Sequence, residues 1–183
     1  MGSSLGIETP AAKIATARSA FAMAVRLNAE AIAGRIRRTI FERRVVVITG
    51  GSGLMLPPDH TSTTEDLLKG IFNLVLVALS TSALVADETL TEFLGPLDQE
   101  QDSSQRALRI MVNQVRNAFA HNPLRPKWVV FKKYRNIYQV TLDDGSTFHF
   151  NAMSLNGDGV KPEQVGGLEF WVKPLQHCER LVA

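Results

Sequence analysis

Apolar residues recur at helical spacing through the N-terminal part of the chain. Between Ala11 and about Arg44 they stand three, four or seven residues apart and form one stripe (Ile14, Phe21, Val25, Ile32, Ile36, Ile40). This spacing predicts a long amphipathic helix. Its expected C-terminal end, where the helix dipole favours positive charge, is rich in arginine (Arg35, Arg37, Arg38, Arg43, Arg44).

A second helix is predicted from a capping box that joins Ser62 to Glu65, and Gly95-Pro96 is expected to end it. Residues 70–86 carry no charge, which is close to the length that a membrane span needs. Polar residues interrupt this run and charges flank it. We therefore expect a central helix buried on all sides, without membrane contact.

A third helix is predicted to begin at Asp102 or Ser103 and to end at the stretch VRNAFAHNP, residues 115–123. Pro123 is a helix-stopping residue. Its expected buried face is apolar (Leu108, Met111, Val112, Val115, Phe119).

The spacing of apolar residues then changes to every second residue, which predicts two or three short antiparallel strands within residues 127–151, with Asp144-Gly145 as a turn. A closing helix is expected at about residues 165–182, kinked or interrupted at Pro174. The predicted fold is mainly α: four or five helices with a small antiparallel β-hairpin. Residues 1–10 are expected to be a flexible N-terminus and residues 11–183 a single domain with its helical bundle at 11–122.

The stretch VVVITGGSGLML, residues 45–56, resembles a strand that enters the glycine-rich turn of a dinucleotide-binding fold. Such a turn should open a helix, whereas Pro57-Pro58 follows here. A flexible interhelical loop is the favoured interpretation.

Composition is that of a globular protein, with 45% hydrophobic and 21% charged residues in 183. The single cysteine, Cys178, excludes an internal disulfide framework and fits a reducing cytoplasm, where we expect the protein to be located. No cluster of cysteine and histidine has the spacing of a zinc site, so neither a metal nor another cofactor is expected.

Charge is segregated along the chain. Residues 106–135, called the basic segment below, contain eight lysines and arginines and no acidic residue. Such a segment is typical either of a solvated face or of a surface that binds a polyanion. The second interpretation makes five of its residues RNA-binding candidates (Arg109, Arg125, Lys127, Lys132, Lys133).

The basic segment contains Arg116 and, five residues later, His121. Arginine can donate two hydrogen bonds to a phosphate, and histidine can transfer protons. Together they suit metal-free RNA cleavage, in which a 2′-hydroxyl attacks the neighbouring phosphate. On a regular helix the two side chains point about 140° apart. They can meet one phosphate only if the helix end is distorted or if a second copy contributes. Asn117, one turn before His121, is expected to orient it.

The sequence RNAFAH, residues 116–121, resembles the Arg-polar-x-x-x-His signature of the HEPN superfamily, all-helical domains of prokaryotic conflict and toxin systems. The order of the helices before it is similar to the family bundle, and the predicted hairpin departs from it. The resemblance implies a homodimeric ribonuclease with paired motifs, with RNA as substrate and an antitoxin or regulatory protein as a partner. The alternative is a non-catalytic dimeric HEPN-like module in which Arg116 is an interface or surface cation.

Overall fold

A computed structural model describes residues 9–40, 42, 45–49, 52–59 and 62–183. These residues form four α-helices and two antiparallel hairpins: α1 (Pro10–Ile32), β1 (Val45–Thr49), β2 (Ser52–Leu56), α2 (Thr64–Leu94), α3 (Ser103–Phe119), β3 (Ile137–Thr141), β4 (Thr147–Asn151) and α4 (Val172–Leu181). The expected fold class, a mainly helical bundle with a small hairpin, is confirmed.

The first helix is shorter than its apolar stripe predicts. The hydroxyl of Thr9 caps α1 by accepting a hydrogen bond from the backbone N–H of Ala12 at 3.2 Å. The helix ends at Ile32, and Gly34 follows with φ = +72°, the left-handed conformation that glycine adopts readily. Arg35, Arg37 and Arg38 therefore lie beyond the helix, and the expectation that they stabilise its C-terminal end is wrong. Arg43 and Arg44, which belong to the same expectation, lie outside the described residues.

The segment interpreted as a flexible loop forms a β-hairpin instead. β1 and β2 pair antiparallel, with Val45 opposite Leu56 and Thr49 opposite Ser52. The two connecting residues are glycines, a pair that favours two-residue hairpin turns, although residues 50 and 51 themselves lie outside the described part of the chain. An antiparallel hairpin is not the strand–turn–helix unit of a dinucleotide site, so the rejection of that alternative stands.

The capping box of α2 lies one residue later than predicted. The backbone N–H of Asp66 donates to Thr63 Oγ1 at 3.1 Å, and the carboxylate of Asp66 accepts from the N–H of Thr63 at 2.8 Å. Hydrogen bonds to this carboxylate from the hydroxyl and from the backbone N–H of Thr63 lower the pKa of Asp66. Two backbone N–H groups that have no partner within the helix thereby gain hydrogen bonds at its start.

The second helix is buried on one face only, which corrects the expectation of burial on all sides. α2 packs against α1, α3 and α4 through a face that includes Val75, Leu79 and Ala83. The opposite side exposes Leu74 (52%), Val77 (43%) and Leu84 (37%). With the exposed Thr81, these residues recur every three or four positions and are called the outer face of α2 below. Only 28% of the most apolar stretch of α2 is buried, and among the described residues α2 is the one helix long and apolar enough to cross a membrane.

The third helix matches its prediction in both position and face. Asp102 caps α3, and the carboxylate accepts from the N–H groups of Ser104 and Gln105 at 2.8 Å. All five residues of its expected apolar face are buried (Leu108, Met111, Val112, Val115, Phe119). α3 therefore stands in the centre of the core and its C-terminal end is firmly placed.

The C-terminal third of the chain packs against the helical bundle. β3 and β4 pair antiparallel, and the predicted turn at Asp144-Gly145 lies between them, with Gly145 at φ = +76°. Residues 127–136 are not strand: Lys127 makes one isolated bridge with Gly159, and a 3₁₀ turn follows at Lys132–Tyr134. α4 begins at Val172, later than expected, so Pro174 lies in its first turn, where proline is tolerated without a kink.

Candidate functional site

The motif helix ends before its histidine. α3 stops at Phe119, and the backbone N–H of Ala120 bonds to the carbonyl of Asn117 at 3.3 Å. His121 follows in non-helical backbone. The angle that a regular helix would impose between Arg116 and His121 therefore does not apply to this site.

Arg116 is half-buried and belongs to a network of polar side chains between α2 and α3. Its Nη1 donates to Asn117 Oδ1 at 3.0 Å, and its Nε lies 4.0 Å from a carboxylate oxygen of Asp87. Asn117 Nδ2 donates to Asn113 Oδ1 at 3.0 Å, and Asn113 Nδ2 lies 3.2 Å from both carboxylate oxygens of Asp87. We call Asp87, Asn113, Asn117 and Arg116 the polar network. It fixes the position of one guanidinium group at the protein surface.

Asp87 is the member that the sequence did not reveal. Burial raises the pKa of its carboxyl group, while the hydrogen bond from Asn113 and the charge of Arg116 act in the opposite direction. Without Arg116, less electrostatic attraction would offset the cost of burying the charged form of this carboxylate. The sequence indicates its role only weakly, since Asp87 is the first charged residue after the apolar run of α2.

Asn117 contacts Arg116 and Asn113, and neither contact is to His121. The expectation that Asn117 orients the imidazole is not met in this arrangement; Asn117 positions the guanidinium group instead. Among the described residues, Arg116 is paired with Asn117 and Asp87 and not with His121. Within one chain, Arg116 and His121 therefore have different surroundings.

His121 is exposed and lines a cavity of about 440 Å³ with Arg125 and Lys127. The loop that brings them together is fixed by its own hydrogen bonds. Asn122 Oδ1 accepts from the backbone N–H of Arg125 at 3.0 Å, and the N–H of Lys127 donates to the carbonyl of Ala118 at 3.1 Å. The chain therefore folds back over the end of α3, so that His121, Arg125 and Lys127 line one cavity.

The other RNA-binding candidates have different surroundings. Arg109 is buried at 2% exposure, where its Nη1 lies 3.0 Å from Glu100 and its Nη2 donates to the carbonyl of Gly95. Lys133 is exposed but engaged: its ammonium lies 2.6 Å from Asp98 and 4.8 Å from the centre of the Tyr134 ring. Lys132 is exposed. Arg109 is therefore left out of the proposed RNA surface, and Arg125 and Lys127 are its best-placed members.

No family model matches the sequence, and no curated protein or solved structure matches it. The likeness to HEPN domains therefore rests on residues 116–121 and on the order of the helices. Within the described residues, no group of three or more His, Cys, Asp or Glu side chains is placed to hold a metal ion.

The buried position of Arg109 gives a direct test. Arg109→Met should lower the free energy of unfolding by about 3–5 kcal/mol, because it leaves the mostly buried Glu100 without its partner. Arg106→Met, at an exposed position one turn earlier, should change it by less than about 0.5 kcal/mol. Urea denaturation followed by circular dichroism measures both. Equal stability of the two variants would show that Arg109 has no structural role.

Proposed function

We propose that the protein is a metal-independent endoribonuclease of HEPN type that acts as a homodimer, in a toxin or defence system. Each active site combines Arg116 of one copy with His121 of the second copy. One observation carries this proposal: within one chain, Arg116 and His121 have different surroundings and are not paired with each other. The polar network holds Arg116, whereas His121 lies past the helix end and lines a cavity with Arg125 and Lys127.

The chemistry needs three roles. His121 accepts the proton of a 2′-hydroxyl as its oxygen attacks the adjacent phosphorus, and a proton is returned to the departing 5′-oxygen. Arg116 donates hydrogen bonds to the phosphate oxygens as negative charge develops on them. Arg125 and Lys127 bind the phosphates of the strand and supply salt-dependent affinity. The products are a 2′,3′-cyclic phosphate and a free 5′-hydroxyl.

The outer face of α2 supports dimerisation. Leu84 stands three residues before Asp87, so the apolar surface begins one helical turn from the carboxylate that faces Arg116. A second copy that packs on this face would lie beside the polar network. Residues spaced three and four apart also suit packing between two helices related by a twofold axis.

The dimer proposal predicts the effect of a charge in this surface. Val77→Glu should convert the dimer to a monomer, because the twofold axis places two carboxylates in one apolar contact. It should reduce cleavage in parallel. Phe93→Glu is the matched control, since Phe93 is exposed in the last turn of α2 on the opposite side. Light scattering at tens of micromolar protein reports the mass. A parent protein that is already monomeric would exclude the composite site.

A non-catalytic dimeric module is the second candidate, and one observation favours it. Arg116 is already paired with Asp87 and Asn117, so its charge is partly neutralised in the free protein. In such a module the motif would bind a nucleic acid or protein and would not cleave.

Cleavage in EDTA separates the two candidates. The purified protein should cut single-stranded RNA in EDTA and leave DNA of the same base sequence intact, because DNA lacks the 2′-hydroxyl. RNA that stays intact at stoichiometric protein, yet binds, identifies the non-catalytic module.

A further inference from the structure

An apolar groove adjoins the cavity of His121. It has a volume of about 350 Å³ and lies between α2 and the loops at residues 124–127 and 159–168, with mostly apolar walls (Phe72, Leu76, Leu79, Leu124, Pro126, Pro162). Arg125 and Lys127 line both this groove and the cavity of His121. The two spaces therefore share one pair of cations at their common border.

The shape and chemistry of the two spaces specify a ligand with two parts. The groove is in the size range of small-molecule sites. Phe72 is 38% exposed, and two prolines belong to the same lining. Flat apolar walls of this kind suit a planar ring, while the cations at the border suit an anionic group attached to it.

We propose that this groove binds one nucleobase of a single-stranded RNA, stacked on Phe72, with the attached phosphate held by Arg125 and Lys127. This inference deepens the proposed function and rests on it for the identity of the ligand. The base enters the groove while the neighbouring phosphodiester lies in the cavity of His121. The groove thus sets which nucleotide stands next to the cleaved bond.

Two properties of the substrate follow. The base must be unstacked from its neighbours to enter, so single-stranded loops and tails should bind and duplex RNA should not. The apolar walls offer few partners for the edges of the base, so selection depends on stacking strength. Purines, which present the larger π-face, should be preferred over pyrimidines.

The test measures binding separately from cleavage. A short, fluorescently labelled oligonucleotide with 2′-O-methyl groups cannot undergo attack by its own 2′-oxygen, so its dissociation constant is readable whether or not the protein is a nuclease. Fluorescence anisotropy is measured with parent, Phe72→Ala, Phe72→Tyr and Phe93→Ala protein. Each is tested against the intact oligonucleotide and against versions with one abasic position moved along the strand.

Loss of one stacked base should weaken binding by about 5- to 150-fold. We expect this loss for Phe72→Ala with the intact strand, and near-parent binding for Phe72→Tyr and Phe93→Ala. At one position, an abasic site should weaken binding to the parent but add little in Phe72→Ala, because both changes remove the same contact. Thermal unfolding of each variant confirms that it is folded.

Equal binding by Phe72→Ala and Phe93→Ala would overturn the inference, as would abasic penalties that are the same with and without the ring. Absence of measurable binding by the parent would overturn it as well. Phe72-dependent binding of the modified strand together with intact unmodified RNA would refute the ribonuclease and leave the base-binding groove standing.

Discussion

His121→Ala is expected to reduce RNA cleavage by about 100- to 10,000-fold, because it removes the group that transfers protons. Arg116→Ala is expected to reduce it by about 100- to 1,000-fold, because it removes hydrogen bonds to charge that develops in the transition state. Both losses should appear in kcat and in kcat/KM together, since neither group is proposed mainly to bind the ground state. Single-turnover cleavage of a labelled oligonucleotide measures them.

Two matched controls accompany these variants. His149→Ala changes an exposed histidine of β4, and Arg106→Ala changes an exposed arginine of α3. Neither residue lines the cavity of His121. Both controls should cleave at a rate close to that of the parent. If Arg116→Ala and His121→Ala are folded and also cleave at the parental rate, the activity comes from a contaminant or from another site.

Trp171→Ala is expected to lower the free energy of unfolding by about 3–5 kcal/mol, because it removes a large ring from the core and leaves a cavity. Trp171 is fully buried, and its Nε1 donates to Ser82 Oγ at 3.0 Å. That hydroxyl in turn donates to the carbonyl of Leu79 at 2.8 Å, so the indole joins the start of α4 to the buried face of α2. Urea denaturation at one fixed protein concentration measures the loss, because the stability of the proposed dimer would depend on concentration.

Trp171→Phe serves as the control for packing. It keeps an aromatic ring in the core and removes the hydrogen bond, while Ser82 retains its bond to Leu79. Its loss should be smaller than that of the alanine variant. An alanine variant within about 0.5 kcal/mol of the parent would show that Trp171 does not stabilise the contact between α4 and α2.

The sequence predicted best where several local signals agreed. For α3, a capping aspartate and one apolar face indicated the start and the buried side that the structure has, while the helix ends at Phe119, before the terminal proline. For α1 the signals conflicted. Ile36 and Ile40 continue the helical spacing, but Gly34 takes a left-handed conformation and ends the helix before them. The first hairpin was missed because a continuous apolar run does not alternate as a half-buried strand does.

The candidate site was only partly predictable because its polar partners come from a different helix. Arg116 and His121 could be named from their spacing, but the contact of Arg116 with Asp87 depends on how α2 packs against α3. Arg109 shows the opposite problem. Its charge suggested an exposed residue, and its burial became apparent only from the tertiary contacts of its guanidinium group with Glu100 and Gly95. The sequence around each arginine does not show which distant residue it pairs with.

Each active site is proposed to take its arginine from one copy and its histidine from the other. Co-expression of Arg116→Ala and His121→Ala chains with different tags allows the heterodimer to be purified. One of its two sites then lacks both groups, and the other retains both. We expect this heterodimer to regain about half of the parental cleavage rate, although both homodimeric variants are nearly inactive. A heterodimer as inactive as the two homodimers would contradict the shared site.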